Sequence, residues 1–212
     1  VKICASHAGL TLGEDGATHQ ILEDVGMMKM LPGMTVIVPC DYNQTKTATI
    51  ALGDHVGPAY LRFGRPGWPV FTAPDRPFEI GKADKMIAGK DVTIFANGHM
   101  VWQAIEAEAI LAEKGISVEL INLHTIKPLD EDAIIKSVSK TGCAVTCEEH
   151  QMNGGLGDSV AQTLTRFHPA PIEMVAVNDS FGESGKPMDL LKKYGLSPEN
   201  IVSAVEKVIG RK

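Results

Sequence analysis

Short β-branched runs alternate with stretches of helical period along the whole chain, the pattern expected of parallel α/β architecture. In the first third, residues 1–6 read as a strand, 7–18 as a glycine-rich loop and 20–30 as a helix stopped by Leu31-Pro32-Gly33. A second strand is expected over 35–39, a helix over 42–54 and a third strand over 59–63. Asp41 precedes that second helix and can cap it, because its carboxylate accepts from the free N–H groups of the first turn. Three strands and two helices bury little surface, so this portion is expected to need further sequence or a partner. The stretch 64–77 carries Pro66, Pro69, Pro74 and Pro77 and reads as a linker, since proline removes backbone donors and favours extended chain.

The second half predicts strands over 91–96, 118–122, 144–147 and 172–177. A helix over 100–114 places Val101, Ile105 and Ala109 on one face and ends at Gly115. Asp130 opens another helix, with Glu131 and Asp132 at its positive end. Gly154-Gly155-Leu156-Gly157 leads into a helix reaching Phe167. Ser197-Pro198 starts a last helix whose apolar stripe is Ile201, Val202, Val205, Val208 and Ile209. Right-handed crossovers would wind these elements into a doubly wound, three-layer domain. The expected division is 1–64 for an incomplete first domain, 65–78 for the linker and 79–212 for the second domain.

Composition narrows the functional classes. Of 212 residues, 44% are hydrophobic and 22% charged, as in ordinary globular proteins, and the net charge is -6. No basic block suggests nucleic acid or an anionic membrane as partner. No apolar run approaches the roughly 20 residues that cross a bilayer. Val1-Lys2-Ile3-Cys4 has no charged leader followed by an apolar stretch, and a native start upstream of Val1 is expected because Met is missing there. Three of the four cysteines lie in or beside apolar runs, consistent with reduced thiols and a cytoplasmic setting.

The chemistry concentrates in SHAGLTLGEDGATHQ, residues 6–20, between a strand and a helix. Parallel α/β sheets bind ligands beyond the carboxyl ends of their strands. His7 and His19 can donate, accept or carry a proton near neutral pH, and Asp15 can accept from a hydroxyl. Gly9, Gly13 and Gly16 allow close backbone approach. A polyhydroxylated, anionic substrate suits this mixture; a solvated surface loop suits it as well. A metal bound by His7, Asp15 and His19 is a third reading, which no compact His/Cys pair supports. Arg62 and Arg65 fall at the end of a strand, where a guanidinium fork can clamp phosphate or merely face water. Gly154–Gly157 reads as tight turn packing rather than an anion site, and Glu148-Glu149-His150 as a polar strand end rather than a functional acid cluster.

These segments resemble transketolases. Residues 6–20 match the family pattern S/T-H-x5-G-E-D-G-x-T-H-Q without gaps, and the likeness continues through LPGMTVIVPCD and GPAYLRFGR. GKDVTIFANGHMV, INLHTIKPLDE, EEHQMNGGLGDSVAQ and NDSFGESGKP resemble the C-terminal domain of split transketolases. The resemblance implies a partial thiamine-diphosphate pyrimidine-binding domain followed by a transketolase C-terminal domain. It also implies transfer of a two-carbon ketol unit between sugar phosphates. By the same resemblance, His7 contacts the substrate phosphate and Asp15 reads the C2 hydroxyl. His19 lies near the C1 hydroxyl and reacting carbonyl as a catalytic group. Arg65 holds phosphate, with Arg62 the nearby alternative.

Thiamine diphosphate and Mg2+ are implied as cofactors held mainly outside this chain. Gly53-Asp54-His55, inside a helix pattern, does not fit the family's GDG…N site. The implied partner is a cofactor-binding N-terminal section or subunit, within a homo- or hetero-oligomer. Two other readings remain. One is a 2-oxoacid dehydrogenase β subunit or a deoxyxylulose-phosphate synthase fragment. The other is a non-catalytic assembly module.

Overall fold

A computed structural model describes residues 1–212. Strands β1 (Lys2–Ala5), β2 (Thr35–Ile37), β3 (Ala59–Arg62), β4 (Asp84–Ile87), β5 (Val92–Ala96), β6 (Val118–Asn122), β7 (Thr125–Lys127), β8 (Ala144–Gln151) and β9 (Ile172–Val177) form two sheets. Their orders are β1-β3-β2-β7 and β4-β6-β5-β8-β9. The pairs β1/β3, β2/β3, β5/β6, β5/β8 and β8/β9 are parallel. The edge strands β4 and β7 are antiparallel. The fold is α/β with parallel-dominated sheets, and the two antiparallel edges are additions of three or four residues, too short to show an alternation in sequence.

Helices α1 (Asp24–Met30) and α2 (Tyr42–Asp54) accompany the first sheet. The second carries α3 (Met100–Glu113), α4 (Glu131–Thr141), α5 (Leu156–Phe167), α6 (Pro187–Lys193) and α7 (Pro198–Ile209). Side chains of α3 and α7 pack with Ile94, Leu120, Val145 and Val175. Those of α4 and α5 pack on the opposite face with Phe95, Ile121 and Ala144. Adjacent residues Ile94 and Phe95 thus serve opposite layers, as the period of two in a strand demands.

The first three strands do not stand alone. Val36, Val38 and Tyr60 share a core with Phe95, Leu123, Ile126 and Leu156. Leu10, Leu22 and Cys40 join the larger core built around α3 and α7. Strand β7 crosses from the second half to pair with β2, Ile37 lying opposite Thr125. Much of the burial that the first third lacks is therefore supplied within this chain.

Asp41 caps α2 as expected, its Oδ1 accepting from the Gln44 N–H at 2.9 Å. Its Oδ2 also accepts from the N–H groups of Phe71 and Thr72 at 2.9 and 2.7 Å. The proline-rich stretch is irregular yet pinned to the start of α2 by that one buried carboxylate. Asp130 likewise caps α4, accepting from Ala133.

Three expectations need correction. The helix expected from Gln20 begins at Asp24, because the Gln20 amide instead donates to the carbonyls of Leu10, Gly13 and Glu183. The buried stripe of α3 is Met100, Ala104, Ala107 and Leu111, flanked by Val101, while Ala109 faces water. Ser197 precedes α7, but its hydroxyl bonds the side chains of Glu199 and Asn200 rather than a backbone N–H.

Candidate active-site loop

The loop after β1 buries its spine and leaves three of its functional side chains outside. Ala8 through Gly13 are buried, whereas His7, Asp15 and His19 are exposed. Gly9 and Gly13 take φ of 85° and 89°, which an L side chain rarely adopts. A Cβ on Gly9 would lie 2.3 Å from Glu149 Oε1, so only glycine lets the loop approach that carboxylate. His7 itself has φ 66° and a 2.8 Å contact between its Nδ1 and the Ser6 hydroxyl. His19 Nδ1 lies 2.9 Å from the Thr18 hydroxyl. Asp15 Oδ2 accepts from Arg65 at 2.9 Å, with both side chains 45% exposed. The structure therefore brings Asp15 and Arg65 into contact, while His7 and His19 bond only their own chain neighbours.

The two arginines separate cleanly. Arg62 is buried, its Nε donating to Asp24 and its Nη2 to the Glu149 carbonyl at 2.8 Å. Tyr60, two residues earlier on the same strand face, donates to Asp24 at 2.8 Å. Burial alone would raise the Asp24 carboxyl, but the Arg62 charge and the Tyr60 hydroxyl outweigh it and hold it below the usual range. Arg62 is thus tied into the interior, whereas Arg65 is exposed. An apolar cavity of about 510 Å3 opens beside the Arg65 segment, lined by Cys40, Tyr42, Phe63, Trp68 and His99 among others, but by none of His7, Asp15, His19 and Arg65.

The Glu148-Glu149-His150 segment is not a polar strand end. All three residues are buried within β8. Glu148 accepts from the N–H groups of Leu156 and Gly157 at 2.6 and 2.8 Å, so it seals the start of α5, and the glycines there are the packing turn expected. A Cβ on Gly155 would meet Glu148 Oε2 at 2.0 Å. His150 accepts from the Gly26 N–H and contacts the Gln151 carbonyl, which defines a neutral ring protonated on Nδ1. Burial and then the Arg62 charge push that imidazole down. What hides this cluster in the sequence is distance: Glu149 and its partner Thr11 are 138 residues apart.

Burial pushes Glu148 up from 4.5 to about 7, against the two amides, which favour the charged form. Because the folded protein binds this proton more tightly than the unfolded chain, the contribution is present below about pH 4.5 and is lost as the pH rises through about 7. Glu148→Gln is expected to flatten the pH dependence of unfolding free energy across that window. Guanidinium unfolding at pH 5 and pH 7 checks it, and an unchanged slope in the variant would contradict the assignment.

No group of three or more His, Cys, Asp or Glu side chains converges so as to hold a metal ion. Of the two Gly-Asp pairs, Gly53-Asp54 ends α2, where helix carbonyls disfavour a diphosphate, and Gly157-Asp158 lies in the first turn of α5, where Glu148 already takes the Leu156 and Gly157 amides. The residues present therefore do not form a diphosphate–metal site. No helix is long and apolar enough to cross a membrane, and all four cysteines are free, Cys4 exposed and the others buried.

Two coupled parallel-dominated sheets define an α/β protein, and its glycine-punctuated loop of histidines and acids lies beyond a strand end, where sheets of this kind place their ligand sites. Residues 1–69 match the transketolase pyrimidine-binding domain and 81–201 the transketolase C-terminal domain. A solved split-gene transketolase, described as an inactive β4 tetramer, superposes with a TM-score of 0.93 at 43% identity, over 99% of this chain and 67% of that one. The 6-deoxy-6-sulfo-D-fructose transketolase subunit of Clostridium sp. (strain MSTE9) is 41% identical over 100% of this chain and 66% of its own length. An apulose-4-phosphate transketolase subunit from Phocaeicola vulgatus is 38% identical over 95% of this chain and 64% of its own length. The chain belongs to the transketolase family. It spans about two thirds of the length of these relatives.

Proposed function

We propose that this chain is the sugar-phosphate-recognising part of an enzyme that transfers a two-carbon ketol unit between sugar phosphates. The observation that carries the reading is the Asp15–Arg65 contact: an acceptor for hydroxyls and a guanidinium for phosphate, presented together beside a loop bearing His7 and His19. Arg65 clamps the substrate phosphate with His7, Asp15 reads the C2 hydroxyl, and His19 moves a proton at the reacting end. A phosphate held far from the reacting carbons supplies binding energy for positioning them. Thiamine diphosphate and Mg2+ are held by a complementary section or subunit, and the cofactor supplies the carbanion chemistry when bound. The relatives named as subunits, and the neighbour described as a tetramer, favour such an assembly.

Arg65→Ala is expected to raise KM for a phosphorylated sugar by about 10- to 100-fold, the value of a lost charged hydrogen bond, and to leave KM for the unphosphorylated sugar nearly unchanged. Steady-state kinetics of the assembled enzyme on ribose 5-phosphate and ribose measure the split. Equal losses on both would contradict the phosphate clamp.

A further inference from the structure

Two side chains from the second half of the chain meet behind the candidate site. Glu149, on β8, takes the loop by its backbone: its Oε1 accepts from the Thr11 N–H at 2.5 Å and its Oε2 from the Thr11 hydroxyl at 3.2 Å. His99, just before α3, places Nδ1 3.0 Å from that hydroxyl and 3.5 Å from Glu149 Oε2. Both carboxylate and imidazole are largely shielded from water, at 4% and 10% side-chain exposure. Polar groups so buried hold their partners firmly, because nothing replaces a lost bond.

The same imidazole supports the other side of the site. One face stacks on Trp68 at 4.2 Å between ring centroids and 15° between planes. Its Cε1 would lie 2.0 Å from a Cβ on Gly64, so the ring rests on the backbone immediately before Arg65. Glu149 reaches that side too, through its carbonyl, which accepts from Arg62 at the end of β3. The loop bearing Asp15 and the segment bearing Arg65 are thus referenced to one buried Thr11–Glu149–His99 cluster.

We infer that Glu149 and His99 are positioning residues that set the Asp15–Arg65 geometry through Thr11 and Gly64, so that the second half of the chain determines how tightly the sugar phosphate is held. The inference rests on the reading of Asp15 and Arg65 as substrate ligands. Neither Glu149 nor His99 bonds Asp15 or Arg65 directly. They act by removing slack between two segments that approach from different strands, and losing a buried hydrogen bond of this kind corresponds to about a tenfold change in binding.

The test uses the assembled enzyme with thiamine diphosphate and Mg2+, with ribose 5-phosphate and ribose as acceptors. Thr11→Val removes the shared hydroxyl while keeping the side-chain shape. It is expected to raise KM for ribose 5-phosphate about tenfold, with kcat and KM for ribose little changed. Thr11→Ser restores the hydroxyl and should recover the wild-type value. His99→Asn, which keeps a partner for Thr11 but removes the ring from Gly64 and Trp68, should show the same selective loss. If wild-type enzyme distinguishes the two acceptors and Thr11→Val lowers only the melting temperature, the cluster is merely structural and the inference is overturned. If wild-type enzyme handles both acceptors alike, the substrate-ligand reading fails and the inference falls with it.

Discussion

Replacing His19 with alanine is expected to lower the kcat of the assembled enzyme by about 100- to 10,000-fold, the usual contribution of a positioned proton-transfer group. Stability should hardly move. The ring is exposed, and its contact is with the neighbouring Thr18 hydroxyl. Exposed side chains with no buried partner change stability by about 0.5 kcal/mol or less. The backbone beneath is fixed independently, since His19 N–H donates to Gly16 and Gln20 is tied to three carbonyls. A loss confined to KM, or a parallel drop in melting temperature, would remove His19 from the catalytic role. Thermal melts and steady-state rates on one preparation separate these outcomes.

The opposite behaviour is expected of Arg62. Arg62→Ala leaves Asp24, 1% exposed, as a buried carboxylate without its countercharge. Removing one member of a buried pair costs about 3–5 kcal/mol, far more than the pair contributes relative to apolar residues. For a chain of this size that lowers the melting temperature by about 10 °C. Asp24→Asn combined with Arg62→Met should recover part of the loss, because no uncompensated charge remains. A double variant as unstable as the sum of the single ones would show that packing, not charge, is at stake. The contrast between Arg62 and Arg65, three residues apart, separates structure from recognition.

That contrast was partly legible in the sequence. A strand alternates its faces, so Tyr60 and Arg62 share one side and Arg65 falls beyond the end. What could not be read was Asp24, 38 residues upstream, on whose carboxylate both side chains close. Asp41 and Asp130 could be recognised as caps because a cap is a local bond across three residues. Gln20 continued a helical pattern in sequence, yet its amide found Glu183, 163 residues away. Glu148, Glu149 and His150 defeated local reasoning for the same reason: charged residues at a strand end usually face water, and only distant backbone donors make their burial tolerable. Strand β7 had no signal beyond three residues, although it joins the two sheets' neighbourhoods. The candidate ligands themselves were visible because the glycines and polar residues of 6–20 lie together in the chain.

Recognition of a sugar phosphate for ketol transfer is the role proposed for this chain. Its most direct test combines the chain with its complementary cofactor-binding section, thiamine diphosphate and Mg2+, and follows the two-carbon transfer from a ketopentose phosphate to an aldopentose phosphate. Transfer that requires both components is the predicted result. Oxidative decarboxylation of pyruvate onto a lipoyl acceptor, with no ketol transfer, would contradict it, as would full transfer by a chain lacking residues 1–78.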